Sequence, residues 1–152
     1  MILSSRYLSV LNSTVLGFCL LFSSLSLQAE QVLKTKNYQV HYNAFNSAML
    51  TPEIAKQYGI QRSKSLGVLN ISILNNSNQS VTALVDGQGK NPISQITTLD
   101  FQKVTEGKAI YYIATFSFAD KEQLNFKIRI IPDGAKEMID LDFSQQFFVG
   151  SM

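Results

Sequence analysis

The chain has 152 residues, of which 16% are charged and 45% are hydrophobic, and its formal net charge is +2. The basic residues are scattered and form no run, so a nucleic-acid-binding surface, which needs a basic patch to neutralise phosphates, is not expected. Cys19 is the only cysteine, which excludes a disulfide framework and leaves stability to a packed core.

The N-terminal 29 residues are typical of a secretory signal peptide. Arg6 precedes an almost uncharged segment, residues 8–27, and Ala29 is a small residue just before Glu30. We predict cleavage after Ala29, which leaves a single domain, residues 30–152, of roughly 123 residues. A retained membrane anchor is the alternative, because roughly 20 apolar residues can span a bilayer, but serines and threonines shorten the strongly apolar run and favour a removable signal.

The mature chain opens with a strand pattern at residues 36–44, where apolar and polar side chains alternate. A short helix is predicted next. Thr51 is suited to cap its N-terminus, Pro52 to occupy its first position, and Gly59 to end it. The helix therefore interrupts the strands once.

The rest of the chain reads as strands joined by turns. Asp86–Pro92, with two glycines, is predicted to be a loop, because no helix follows that would make it a phosphate site. Ile96 and Leu99 have opposite parity, which indicates a bulge or a change of sheet between them. The further strands are predicted at residues 66–74, 80–86, 93–104, 108–118, 122–132 and 137–148.

The strands at residues 108–118 and 122–132 have the strongest patterns. Only Ala119, Asp120 and Lys121 link them, so we predict that they pair as an antiparallel hairpin. About seven strands with short turns and one helical excursion favour an all-β, immunoglobulin-like antiparallel β-sandwich. A small closed barrel is the alternative.

Isolated polar residues carry little chemistry by themselves. His41 is the only histidine, and a metal site needs three or four ligands, so no cofactor is predicted, although a soft copper site with Met49, Met138 and Met152 is an alternative. Several aspartates lie on the last strand or at turns. Paired carboxylates can bind calcium or hydrolyse glycosides, but we expect these aspartates to form a solvated surface. These residues are Asp86, Asp100, Asp133, Asp140 and Asp142.

The stretch from His41 to Ser63 breaks the strand pattern with aromatic, amide and arginine side chains. Irregular segments on rigid β scaffolds often carry binding sites. The structural interpretation is a plug at one end of the sandwich, with Phe45 and Ile54 in the core and Arg62 bonded to backbone carbonyls. Both interpretations stand at this point. The candidate ligand or partner residues are His41, Tyr42, Asn43, Phe45, Asn46, Tyr58 and Arg62.

The chain resembles a family of small, uncharacterised periplasmic proteins of proteobacteria. The likeness is carried by His41-Tyr-Asn-Ala-Phe-Asn, Pro52-Glu53, Tyr58-Gly-Ile, Arg62-Ser63 and Gly67-Val-Leu-Asn-Ile71. It implies a periplasmic location and a β-sandwich, and it brings no catalytic residues.

Together these observations predict an exported periplasmic protein that is not an enzyme and that binds an envelope protein or another envelope component. Sheet edges, which such a fold must cover or use for partner strands, support this function. No nucleic acid and no membrane span after signal cleavage are expected. The alternative is a small-ligand or metal-binding module built on the segment from His41 to Arg62.

Overall fold

The computed structural model describes residues 31–150, so the predicted signal peptide and Met152 lie outside the described residues. Within this range no helix is long and apolar enough to cross a membrane. In chain order the elements are β1 (Gln31–Lys34), β2 (Tyr38–Asn46), a 3₁₀ turn (Ser47–Met49), α1 (Pro52–Gln57), β3 (Leu66–Asn75), β4 (Ala83–Lys90), β5 (Ile96–Leu99), β6 (Gln102–Glu106), β7 (Ala109–Ser117), β8 (Glu122–Pro132) and β9 (Ile139–Phe147).

The strands form two antiparallel sheets packed face to face. Sheet A has five strands in the order β1-β2-β3-β7-β6, and sheet B has four in the order β5-β4-β8-β9. The predicted all-β sandwich is confirmed, as two separate sheets rather than a closed barrel. The strands exceed the predicted seven because β1 precedes the first predicted strand and because residues 93–104 supply two strands, one to each sheet.

The core lies between the sheets and follows from the alternation in the sequence. Every second residue of β8 from Leu124 to Ile130 is buried, and the partners from sheet A include Leu69, Ile71 and Ile73, each with no exposed surface. A cluster of aromatic rings fills one part of this core, with centroids 4.7 to 6.4 Å apart. Its members are Phe116, Phe118, Phe126, Phe143 and Phe147.

The predicted hairpin of residues 108–132 is wrong. β7 pairs with β3 and β6 in sheet A, whereas β8 pairs with β4 and β9 in sheet B. Phe118 is 5% exposed and Lys121 has a φ of 60°, so the link turns from one sheet into the other. The apolar faces of the two strands therefore pack across the core, where the rings of Phe116 and Phe126 lie 5.1 Å apart.

The predicted loop Asp86–Pro92 is also wrong, because most of it belongs to β4. Gly87 and Gly89 pair with Ile128 and Phe126 of β8. A Cβ at Gly87 would lie 2.6 Å from Cδ1 of Ile128 and 2.8 Å from the carbonyl oxygen of Lys127. This glycine therefore permits a close approach of two strands and does not form a turn.

Two local predictions are confirmed. The Thr51 hydroxyl accepts a hydrogen bond from the Ile54 N–H (3.3 Å), and Gly59, with a φ of 65°, follows the helix. The predicted bulge or change of sheet between Ile96 and Leu99 is wrong in position, because both residues belong to β5 of sheet B and the chain crosses to sheet A at residues 100–101.

Candidate functional site

The excursion, residues 47–64 between β2 and β3, is held tightly at its two ends. Ser47 has no exposed surface, and its hydroxyl donates to the Ser63 carbonyl (3.1 Å) and accepts from the Ser63 N–H (2.9 Å). The Asn46 amide donates to the Lys64 carbonyl (2.6 Å) and accepts from the Ala48 N–H (2.8 Å). These side chains replace the backbone pairing that β2 and β3 lose where they diverge.

The middle of the excursion reaches across sheet A to its edge strand β6. The side chains of Tyr58 and Gln57 both donate hydrogen bonds to the Glu106 carboxylate, and this bond raises the pKa of Tyr58. Ala55 of α1 is 3% exposed, whereas Ile54 is 37% exposed. The expected burial of Ile54 in the core is therefore wrong, and so is that of Phe45, which lies opposite Val68 of β3 and outside the core cluster between the sheets. The excursion covers the outer face of sheet A rather than closing one end of the sandwich.

A small cavity of about 70 Å³ lies under the excursion. It is large enough for about two water molecules. Its lining combines residues of the excursion with outward-facing residues of β6 and β7: Tyr58, Gly59, Ile60, Asp100, Gln102, Val104, Ile113 and Thr115.

The candidate residues in and near the excursion lie in several different environments. Arg62 donates to the Ala48 carbonyl (3.0 Å), in agreement with the structural interpretation of this segment. Tyr42 faces the core, with its ring 4.8 Å from that of Phe143. His41, Asn43 and Phe45 have the opposite parity on β2 and pair with Ser72, Asn70 and Val68 of β3. Of the seven candidates, Tyr58 alone lines either of the two cavities described in residues 31–150.

Of the side chains considered for copper, Met49 and Met138 do not come together, and Met152 lies outside the described residues. Gln145, near the end of β9, donates to the Ala44 carbonyl of β2 (2.8 Å), so Met49 lies toward this end of the sandwich. Met138 precedes the start of β9, about 23 Å away along an extended strand. Across the part of the chain that the structure describes, no group of three or more His, Cys, Asp or Glu residues is placed to hold a metal ion.

The outer face of sheet B carries a shallow cavity of about 830 Å³. Strand register places its charges in two cross-strand rows, Asp86-Arg129-Asp140 and Gln88-Lys127-Asp142. Arg129 makes a bidentate ion pair with Asp86, with N–O distances of 2.9 to 3.2 Å, and this pair raises the pKa of Arg129. Three aspartates against two basic side chains give the cavity a formal charge of −1.

Exposed apolar side chains continue this face beyond the first charged row. Leu84 pairs with Ile131, and the pairing of Ile130 with Ile139 places Met138 beside Ile131. These three side chains, the apolar row, are 61%, 37% and 48% exposed. The sequence signal for this surface is the alternation of Leu84, Asp86 and Gln88 along β4. It was missed because residues 86–92 were predicted to form a loop.

Solved structures with the same fold include two of FetP from a uropathogenic strain of Escherichia coli. The first, of the protein as isolated, has 9% sequence identity and a TM-score of 0.56, over 79% of this chain and 94% of FetP. The second is a copper-bound variant with 9% identity and a TM-score of 0.54, over 78% of this chain and 90% of that chain. At this identity the likeness shows the fold alone. No curated protein matches the chain.

A much stronger likeness links the chain to one family. Residues 32–150 match the family described as domain of unknown function DUF4426. The crystal structure of a DUF4426 protein from Pseudomonas aeruginosa has 34% sequence identity and a TM-score of 0.72, over 80% of this chain and 97% of that one. The resemblance found in the sequence is thereby confirmed, and the chain belongs to the DUF4426 family.

Proposed function

We propose that this protein is an exported, non-catalytic binding module of the bacterial envelope, and that it binds a partner protein with the outer face of sheet B. The observation that carries the proposal is the apolar row lying directly beside the row Asp86-Arg129-Asp140. Protein interfaces combine an apolar centre with a polar rim in this way.

The apolar row is a contiguous feature rather than three separate exposed residues. Leu84 of β4 pairs with Ile131 of β8, and Met138 directly precedes β9 on the other side of Ile131, so the three side chains form one strip. Exposed apolar residues are ordinary when they are scattered, and a strip rimmed by charge is typical of an interaction site. Because the strip stands on a paired sheet, little conformational entropy is lost when a partner covers it.

The charges beside the apolar row indicate the chemistry of the partner. Asp86 already neutralises Arg129, which leaves Asp140 and Asp142 against Lys127. The surface is therefore negative where it is not paired, and it favours a partner with a basic residue next to an apolar one. A negative surface does not favour anionic lipid head groups.

Export is supported by the signal-like N-terminal segment and by the family resemblance. FetP, which shares the fold, was expressed in the periplasm, and a variant of it was copper-bound. We do not extend copper binding to this chain, because Met49 and Met138 lie toward opposite ends of β9 and away from each other. Export is checked by mass spectrometry of the periplasmic protein, which is expected to begin at Glu30.

The binding face is tested by photo-crosslinking in living cells, with p-benzoylphenylalanine at Gln88 in the cavity. The matched control position is Gln61, which is exposed on the excursion over sheet A. We expect a discrete protein adduct from Gln88 and none from Gln61, and we expect Leu84→Ser to reduce the adduct. The substitution Ile93→Ser, at a 75% exposed apolar residue outside the apolar row, is expected to leave it unchanged. Equal adducts from both positions, or no adduct from Gln88, would contradict the proposed face.

A further inference from the structure

The two sheets differ by one strand, and the difference falls on one side of the sandwich. On the other side, residues 100–101 join β5 to β6, so the two sheets meet there. On this side β9 lies opposite β2, as shown by the contact of Tyr42 with Phe143 and by the bond from Gln145 to Ala44. β1 is the next strand outward in sheet A. Within residues 31–150, no strand of sheet B lies beside β9 and opposite β1, and we call this place the vacant position.

β9 is an unusually long edge strand for this molecule. It has nine residues, whereas the edge strands β1, β5 and β6 have four, four and five. Within residues 31–150 it pairs with β8 alone, so about half of its backbone N–H and C=O groups point toward the vacant position. Proteins usually keep edge strands short to avoid pairing with other chains, and β9 is an exception.

The side chains around the vacant position have two chemistries. On the core side, Leu33, Tyr42 and Phe143 are packed against the core but are only half-buried. On the outer side, Asp140 and Asp142 project from β9 itself. A strand added here would meet apolar groups with one set of alternating side chains and carboxylates with the other.

We propose that an extended segment of a partner protein adds to β9 as the fifth strand of sheet B. Its apolar side chains alternate with lysine or arginine, which face Asp140 and Asp142. This goes beyond the proposed outer-face site, because the affinity comes from backbone pairing at an edge. A second copy of the chain fits less well. Antiparallel pairing of two β9 strands presents no basic side chain to Asp140 or Asp142, since the other outward residues are Ser144 and Gln146.

The test uses the exported protein and a fluorescent heptapeptide of alternating lysine and valine, with binding measured by anisotropy. We expect saturable binding, and a loss of about tenfold or more when the peptide is N-methylated at alternate residues along the edge that pairs. A peptide of the same composition with its lysines and valines in two separate blocks is expected to bind as weakly as the N-methylated peptide. Binding unaffected by N-methylation, or no binding at millimolar peptide, overturns strand addition.

A charge exchange tests the role of the aspartates. Asp142→Lys is expected to weaken the lysine-valine peptide about tenfold and to give measurable binding of a glutamate-valine peptide. The matched control is Asp100→Lys, an exposed aspartate on the opposite side of the sandwich, which is expected to change neither peptide. If both variants behave alike, the aspartates do not select the partner.

Sedimentation of the free protein tests the competing occupant. Ser144→Pro removes a backbone N–H from β9 and should block pairing at this edge. A dimer of the parent protein that this substitution abolishes would show that a second copy fills the vacant position, and it would overturn the partner assignment. A monomer supports it. The crosslinking result at Gln88 depends on the outer face and not on peptide backbone pairing, so failure of the edge and failure of the proposed face are distinguished.

Discussion

The two outer faces of this sandwich differ in solvent exposure: the excursion covers that of sheet A, and that of sheet B is exposed. On sheet A, Val68 points outward from β3 and is nevertheless only 2% exposed, while its neighbour Leu69 is buried in the main core. The excursion covers this face and gives β3 an apolar environment on both sides. On sheet B, Leu84 also points outward and is 61% exposed. No element covers it within residues 31–150.

The difference separates residues that stabilise the fold from residues available to a partner. Covering sheet A requires buried polar anchors such as Ser47, which cost free energy if they lose their hydrogen bonds. Sheet B presents charged and apolar groups whose interactions with water are largely intact, so changing them should alter stability little. Substitutions on the two sheets can therefore sharpen this contrast or break it.

The largest effect is expected for Gly67→Ala in β3. A Cβ there would lie 2.2 Å from Cζ and 2.3 Å from Cε2 of Phe116, a ring that is 3% exposed and packed among other phenylalanines. Because the ring has no space into which to move, we expect a loss of about 3 kcal/mol in the free energy of unfolding. Urea denaturation of the purified protein measures it.

Gly89→Ala in β4 is the matched control on sheet B. Its Cβ would lie 3.4 Å from Phe126, close to ordinary contact, and alanine loses less backbone entropy than glycine on folding. The expected change is within about 1 kcal/mol of zero. Equal losses for the two variants would mean that the ring of Phe116 yields to the added Cβ at Gly67.

A smaller loss is expected for Ser47→Ala. The substitution leaves the N–H of Ser63 without its acceptor in a partly buried site, and it removes a donor from the Ser63 carbonyl. The expected cost is about 1–3 kcal/mol, with faster hydrogen exchange in the excursion. Ser144→Ala on the exposed face of β9 is the control, and its cost is expected to stay within about 0.5 kcal/mol. A similar cost for both serines would remove the distinction between the faces.

The fold was predictable from sequence wherever one residue pattern decided the structure. The alternation from Leu124 to Ile130 gave β8, and Thr51, Pro52 and Gly59 gave the helix, because both signals are local. The partner of each strand is not local. The three-residue link after Phe118 fits a hairpin as well as it fits a crossing between sheets, and burial of Phe118 decided for the crossing.

The candidate surface was predictable only in part for the same reason. Asp140 and Asp142 stood out as outward residues of the last strand, and that placement is confirmed. Leu84 and Met138 lie 54 residues apart in sequence, and only the register of β4, β8 and β9 makes them part of one strip. Gly87 and Gly89 hid this register, because glycines that permit close packing look like turn glycines in a sequence.

A smaller, pH-dependent contribution to stability is expected from the hydrogen bond between Tyr58 of the excursion and Glu106 of β6. The Glu106 carboxylate raises the pKa of Tyr58 above its ordinary value of 10.0, so the neutral phenol is the form that the folded state favours. The contribution to stability is complete below pH 10 and is lost as the pH rises through the raised pKa. Tyr58→Phe is expected to cost about 0.5 kcal/mol or less, since the pair is exposed to solvent.

The difference between the tyrosine absorbance titrations of the parent protein and of Tyr58→Phe measures this pKa, because the chain contains six tyrosines. Glu106→Gln is expected to bring the pKa of Tyr58 back toward its ordinary value, because it removes the negative charge and the strongest acceptor. An unchanged titration in this variant would show that Tyr58 does not bond to Glu106. The excursion would then not be anchored on β6, and the contrast between a covered and an exposed face would be weaker.

The smallest effect on stability is expected for the ion pair of Arg129 and Asp86. Both side chains are about half exposed, so water solvates the charges after the pair is broken. In a double-mutant cycle with Arg129→Gln and Asp86→Asn, the coupling between the two substitutions should change Tm by no more than about one degree. Binding should respond more than stability does. Arg129→Gln makes the cavity more negative, so a basic partner is expected to give more adduct at Gln88, and high salt should cancel the gain. A large coupling in the cycle together with an unchanged adduct would mean that these charges stabilise the sheet instead of presenting it to a partner.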